Sequence, residues 1–120
     1  MNVTTYVRPL LLVIVLLPAL AVAGASRPAT KVELDAIRKA METKLKDAQT
    51  ARFLNVTVGK DGSTFCGEVN AKNSFAAYGG YHRFFGSVFI IERKHVAIIM
   101  SMASEQGEEV TESMCAKYGL

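Results

Sequence analysis

Residues 66–85, CGEVNAKNSFAAYGGYHRFF, decide which fold this chain can adopt. Together with Thr64 and Phe65, their first part predicts a strand, because successive side chains of a strand point to opposite faces. The side chains of Phe65, Gly67 and Val69 would lie on one face of this strand, and those of Cys66, Glu68 and Asn70 on the other. YHRFF begins the next strand. Residues 71–80 between them have no apolar period and contain turn-forming residues, which predicts a long loop.

Further strands are predicted on both sides of this segment. Residues 53–58, FLNVTV, are rich in β-branched and aromatic residues, and GKDGS after them is typical of a turn, so residues 53–70 predict a hairpin. Residues 81–93 and 96–103 predict two strands joined by a tight turn at residues 93–95. Since VFII at 88–91 is apolar at consecutive positions, we expect this strand to be central, with both faces covered.

Helices are expected at both ends of the strand region. Thr30 and Glu33 have the spacing of a capping box, and apolar residues then follow one helical stripe through Leu34, Ile37, Met41, Leu45 and Ala48. A short C-terminal helix is predicted from Glu108 to Tyr118. The fold class is therefore α+β: an N-terminal amphipathic helix, an antiparallel sheet of about four strands and a short C-terminal helix.

The N-terminal 25 residues predict a secretory signal peptide. Arg8 precedes an apolar run at residues 10–17, and ALAVAGA supplies A-x-A cleavage sites after Ala23 and Ala25. Residues 26–120 would then form one small domain, periplasmic or secreted, without a stable membrane span. The alternative is a membrane-tethered protein that retains this segment, although Pro18 interrupts a run shorter than the roughly 20 residues that a spanning helix needs.

The charge balance argues against nucleic acid as a partner. The chain has 14 basic and 11 acidic residues, and loss of Arg8 with the signal leaves 13 and 11, a net charge of +2. Nucleic-acid binding requires a clustered basic face. Weak attraction to anionic envelope surfaces is compatible with this charge.

The two cysteines, Cys66 and Cys115, predict a disulfide bond that joins the C-terminal helix to a strand. Export, an even cysteine count and a small core all favour it, whereas the alternative is two free buried thiols. An oxidised Cys66 cannot act as a nucleophile. His82 and His95 lack the spacing of a zinc motif, so we expect no metal and no cofactor.

Two functional hypotheses remain, and the first is a non-enzymatic binding module. The segment from residue 70 to 82 would bind a protein or an envelope component through Asn70, Lys72, Asn73, Tyr78, Tyr81 and His82. The same asparagines could instead serve only to close a turn. The alternative hypothesis is a small envelope hydrolase or metal-dependent enzyme that uses His82, Glu68 and His95.

Two stretches resemble a known group of proteins. LKDAQTARFLNV at 45–56 and FCGEVNAKNSFAAYGGYHRF at 65–84 resemble small uncharacterised exported proteins of bacteria and prophages that carry a C-G-x-V-N-A-K-N-x-x-G-G-Y motif. Ala48 stands where the group usually has proline, and Ala76 and Ala77 replace its paired glycines. The resemblance implies a bacterial source and an envelope location, but no activity or substrate.

Overall fold

The structure, a computed structural model, describes residues 25–120. The predicted signal peptide, except for its last residue, lies outside this part, so its cleavage stays a prediction. The described elements are, in chain order, β1 (Arg27–Pro28), α1 (Lys31–Met41), β2 (Arg52–Val58), β3 (Thr64–Lys72), β4 (Tyr78–Ile91), β5 (Lys94–Met102), α2 (Ala103–Gln106) and α3 (Glu108–Lys117).

The strands form one antiparallel sheet in the order β1-β2-β3-β4-β5. The predicted α+β class and the hairpin at residues 53–70 are confirmed. The sheet has five strands instead of about four, because Arg27 and Pro28 pair with Val58 and Thr57. A two-residue strand is too short to show a period of two, and its proline is tolerated at a sheet edge.

The main core lies between α1 and one sheet face, here called the inner face. Phe65 on β3 is paired with Gly86 on β4, and Gly67 on β3 is paired with Phe84 on β4. Both phenylalanines are fully buried, and their ring centroids are 6.0 Å apart in an edge-to-face arrangement. A Cβ atom at Gly67 would lie 2.9 Å from the Phe84 ring, and one at Gly86 would collide with Phe65 and with the backbone. Each ring therefore requires the glycine opposite it.

The opposite face of the sheet, here called the outer face, is joined to α3 by the predicted disulfide. Cys66 and Cys115 are bonded and buried, with their Cα atoms 6.0 Å apart. Phe85 packs beside them, and the Tyr118 ring centroid lies 5.6 Å from that of Phe85. The hydroxyls of Ser101 and Thr111, 2.8 Å apart and buried, also connect α3 to the sheet.

The first helix begins where the sequence predicts and ends earlier. Thr30 is the N-cap, and the capping box with Glu33 is present. The helix ends at Met41, although the apolar stripe continues to Ala48. Arg38 Nη1 donates to the carbonyl oxygens of Ala48 and Ala51, each at 2.8 Å, and so holds the returning chain against the helix. Ala48 is therefore buried without being helical.

The expectation that VFII at 88–91 is covered on both faces is wrong. β4 is an internal strand, but its last three side chains, Phe89, Ile90 and Ile91, are 45%, 70% and 55% exposed. This part of β4 forms a hairpin with β5 whose turn is Glu92–Arg93, with φ values of 48° and 63°. This end of the hairpin extends beyond the parts of the sheet on which α1 and α3 pack. An apolar run in the sequence does not indicate how far the packing helices reach.

We expect loss of the disulfide to destabilise the domain strongly. The bridge closes a loop with a sequence separation of 49, and the chain-entropy account gives about 4 kcal/mol for such a loop. The Cys66→Ala, Cys115→Ala double variant should lose this amount in urea unfolding relative to the oxidised protein. A loss below about 1 kcal/mol would contradict the expectation.

Acid should destabilise the junction of β1 and α1. Hydrogen bonds from Arg27 at 2.7 and 2.9 Å, with that from the Thr30 N–H, lower the pKa of the buried Glu33 from 4.5 to about 2. The stabilisation is complete above pH 4.5 and is lost as the pH falls from there through 2. We expect a loss of between about 2 and 3 kcal/mol, allowing for the half-exposed Arg27.

This loss can be assigned by comparing stability at pH 7 and pH 2 in urea. Glu33→Gln should be less stable than the parent at pH 7 and should show a smaller decrease on acidification. Asp35→Asn, which changes an exposed carboxylate of the same helix, is the control and should retain the parent's decrease. An unchanged decrease in Glu33→Gln would contradict the assignment.

Candidate functional site

The predicted binding residues lie at the end of the β3–β4 hairpin, but the loop there is much shorter than expected. β3 continues to Lys72 and β4 begins at Tyr78, so only residues 73–77 form the turn. Asn70 and Lys72 therefore belong to β3. Tyr78, Tyr81 and His82 belong to β4, and only Asn73 lies in the turn. The prediction of a long loop at 71–80 is wrong because pairing across the sheet extends both strands into an aperiodic sequence.

The two asparagines hold the backbone of this turn. Asn73 Oδ1 accepts hydrogen bonds from the backbone N–H of Phe75 at 2.9 Å and of Ala77 at 3.2 Å. Asn70 Oδ1 accepts from the N–H of Gly80 at 3.0 Å, where the β3–β4 register shifts and Gly80 has a φ of 103°. Both amide oxygens therefore accept hydrogen bonds within the hairpin. This is the turn-closing role that the sequence offered as the alternative to a role in binding.

Tyr78 connects the hairpin to the segment that precedes β2. Its hydroxyl donates to the carbonyl oxygen of Thr50 at 2.9 Å. The guanidinium of Arg52 lies 3.9 Å from the centre of the Tyr78 ring, and the Lys72 ammonium lies 5.7 Å from it. The Thr50 hydroxyl donates to Asp47 and lowers the pKa of that carboxyl. The two stretches that carry the family resemblance are therefore in contact with each other here.

Phe75 is the most exposed large apolar side chain among the described residues. Its side chain is 91% exposed, although its own N–H is bonded to Asn73. The next residue, Ala76, has a φ of 59°, in the left-handed region that disfavours residues with a Cβ atom. The turn thus holds an aromatic ring in solvent instead of folding it onto the sheet.

Basic and aromatic groups lie at the same end of the hairpin as this ring. Lys46 Nζ lies 2.9 Å from Ser74 Oγ, which brings a lysine from the α1–β2 connection to the turn. Tyr81 and His82 are exposed on the adjoining part of β4, Tyr81 on the outer face with Asn70 and His82 on the inner face with Val69. We call this end of the hairpin, with side chains on both faces, the hairpin tip; it comprises Lys46, Arg52, Lys72, Phe75, Tyr78, Tyr81 and His82. Sequence reasoning missed Lys46 and Arg52, whose only signal was their place in the first motif.

The residues of the enzymatic alternative do not converge. His82 is paired with Val69 and shares its inner face, whereas Glu68 points to the outer face. His95 is paired with Ile90, eight residues along β4 from His82, or about 26 Å at the rise of a strand. Among residues 25–120, no group of three His, Cys, Asp or Glu side chains could hold a metal ion. Cys66, being bridged, offers no thiolate.

The tethered alternative depends on residues 1–25, all but the last of which lie outside the described part of the chain. Over the described residues, no helix has both the length and the apolar character needed to cross a membrane. Comparisons with known proteins add no assignment: no protein-family model, curated protein or solved structure matches this chain. The family resemblance therefore stays a prediction.

The turn geometry predicts that a glycine at position 76 is stabilising. Ala76→Gly removes the steric strain of an alanine in the left-handed region. The strain energy removed should exceed the entropic cost of a more flexible unfolded chain, so we expect a net increase of about 1 kcal/mol in the free energy of unfolding. The matched control is Ala77→Gly, whose backbone is not left-handed and which should be destabilising. Equal effects of the two variants in urea unfolding would contradict this account.

Proposed function

We propose that this chain is an exported, non-enzymatic binding domain that attaches to a protein or envelope component through the hairpin tip. The observation that carries the proposal is Phe75, an aromatic ring kept 91% exposed by a turn whose backbone is hydrogen-bonded on both sides of it. Exposing such a ring has a hydration cost, which binding would recover. An aromatic side chain on an ordered turn is an efficient anchor, because the backbone that carries it loses little conformational entropy on binding.

The charges of the hairpin tip support an anionic partner surface. Arg52 and Lys72 lie against the Tyr78 ring, Lys46 contacts Ser74 beside Phe75 in the chain, and Asp47 is an acidic residue near Lys72. Arg52 and Lys72 both approach the Tyr78 ring, so their side chains are already ordered before binding. An acidic protein surface or the phosphate-bearing surface of an envelope would both offer complementary charge to this arrangement.

A location in the periplasm or outside the cell is part of the same proposal. The buried Cys66–Cys115 bond is compatible with an oxidising compartment. The resemblance to exported bacterial and prophage proteins favours a bacterial source. The signal-like N-terminus favours export, with removal of the signal peptide and release of a soluble mature protein. These features support the location independently of the tip.

Site-specific photo-crosslinking in producing cells would test the proposal. A photoreactive phenylalanine analogue placed at residue 75 should give discrete adducts in the envelope fraction, whereas the same analogue at Val110, an exposed apolar position on α3, should not. Binding of the purified protein to phosphatidylglycerol vesicles forms the second arm and identifies an envelope lipid as the partner.

The matched variants are Phe75→Ala and Val110→Ala. Phe75→Ala should weaken binding by roughly 30-fold in the arm that shows it, as expected for a central anchor, and should leave the urea unfolding midpoint unchanged. Val110→Ala should bind like the parent. The proposal fails if neither arm detects binding, or if the two variants behave alike.

A further inference from the structure

A cleft lies between α1 and the first residues of β5, at the end of the sheet away from the hairpin tip. It consists of two cavities of about 310 and 370 Å³, which adjoin because Ala36, Lys39, Lys94 and His95 line both of them. We call the two cavities together the α1–β5 cleft. Each has the volume of a small-ligand site.

The two walls of the cleft have the same length. One wall is a single stripe of α1, whose spacing of three, one, three and one residues keeps its members on one side of the helix: Val32, Asp35, Ala36, Lys39 and Ala40. The other wall is residues 93–97. The stripe spans about 12 Å at the rise of a helix, and residues 93–97 span about 13 Å at the rise of a strand. The helix and the strand therefore line the cleft over its whole length.

The cleft carries an excess of positive charge. Lys39, Arg93 and Lys94 line it, and in the described part of the chain none of these three cations forms an ion pair. Asp35 is the acidic residue of the lining, and Lys31 binds its carboxylate at 2.9 Å. Three cations and one carboxylate give the lining a net charge of +2 with His95 neutral. The charge of the cleft therefore favours an anionic ligand.

One end of the cleft is apolar. Ala40, Val96 and Ala97 line the cavity that does not reach Arg93, and Ala36 lies where the two cavities meet. The alanine side chains are small, so they leave the space open, and they offer no polar group to a ligand. A ligand that fills the cleft would thus carry a charged group at one end and an aliphatic group at the other.

We propose that the α1–β5 cleft binds a phosphate monoester with an aliphatic substituent. A phosphate monoester carries about 1.5 to 2 negative charges at pH 7, which matches the charge of the lining, whereas a carboxylate carries one. Arg93 would bind two phosphate oxygens through its planar guanidinium, and Lys39 and Lys94 would act as point charges. The aliphatic group would lie against Ala40 and Ala97. The hairpin tip contributes nothing to this site.

The test is a titration of the ¹⁵N-labelled, oxidised protein with hexyl phosphate, followed through the backbone amide shifts. Saturable shifts should be confined to residues 32–40 and 93–97. Inorganic phosphate and hexanoate should each bind at least roughly tenfold more weakly, because the first lacks the aliphatic group and the second lacks the second negative charge.

Matched charge variants separate the cleft from the overall charge of the protein. The Lys39→Gln, Lys94→Gln double variant should weaken binding of hexyl phosphate by at least roughly tenfold. The control is Lys60→Gln with Lys117→Gln, which removes two exposed lysines outside the cleft and should bind like the parent. Phe75→Ala should also bind like the parent, so the result is independent of the hairpin tip.

A second pair of variants tests the space in the cleft without changing its charge. Ala36→Leu adds bulk where both cavities meet and should prevent saturable binding. Ala116→Leu makes the same change at an exposed position of α3 and should have no effect. The urea midpoint of each variant shows that it is folded.

Vesicles identify the source of the phosphate. Binding to phosphatidic acid vesicles but not to phosphatidylcholine vesicles, lost in the Lys39→Gln, Lys94→Gln variant, assigns it to a lipid. Binding of hexyl phosphate without vesicle binding assigns it to a soluble compound. Absence of saturable shifts with hexyl phosphate, or shifts centred on the hairpin tip, would overturn the proposal. So would equal binding of hexanoate or inorganic phosphate, or an equal loss of binding in the two charge variants.

Discussion

The pairing of each core phenylalanine with a glycine on the neighbouring strand is the constraint on which the other features depend. Phe65 lies over Gly86 and Phe84 over Gly67, so the β3–β4 register cannot slip by one residue without driving a side chain into a ring. The same register aligns Cys66 with Phe85 on the outer face, where α3 packs. The inner core thus determines the position of the disulfide on the other side of the sheet.

The two faces are stabilised by different means. On the inner face α1 covers a continuous apolar core, and its start is held by the capping box and the Arg27–Glu33 ion pair. On the outer face α3 contributes a small cluster, which the disulfide and the Ser101–Thr111 contact reinforce. A short helix covers only part of a face. The part that remains uncovered includes the exposed side chains of Phe89, Ile91 and Ile98.

β4 joins the hairpin tip to an exposed apolar end of the sheet. It runs for 14 residues, about 45 Å, from the hairpin tip to the turn at residues 92–93. Residues close together in the sequence have different roles at this end of the hairpin. Asn70 and Asn73 accept hydrogen bonds from backbone N–H groups, whereas the Phe75 side chain is exposed to solvent.

The sequence by itself determined the α+β class, the start of α1, the hairpin of β2 and β3, the division of β3 into two faces and the cysteine pair. Each of these depends on spacing over a few residues or, for the cysteines, on a count. Tertiary structure alone decided that Arg27 and Pro28 join the sheet, that residues 71, 72 and 78–80 extend strands, and that the last three residues of VFII are left exposed. These outcomes depend on which distant segment lies alongside and how far it extends, and local periodicity contains no information about that.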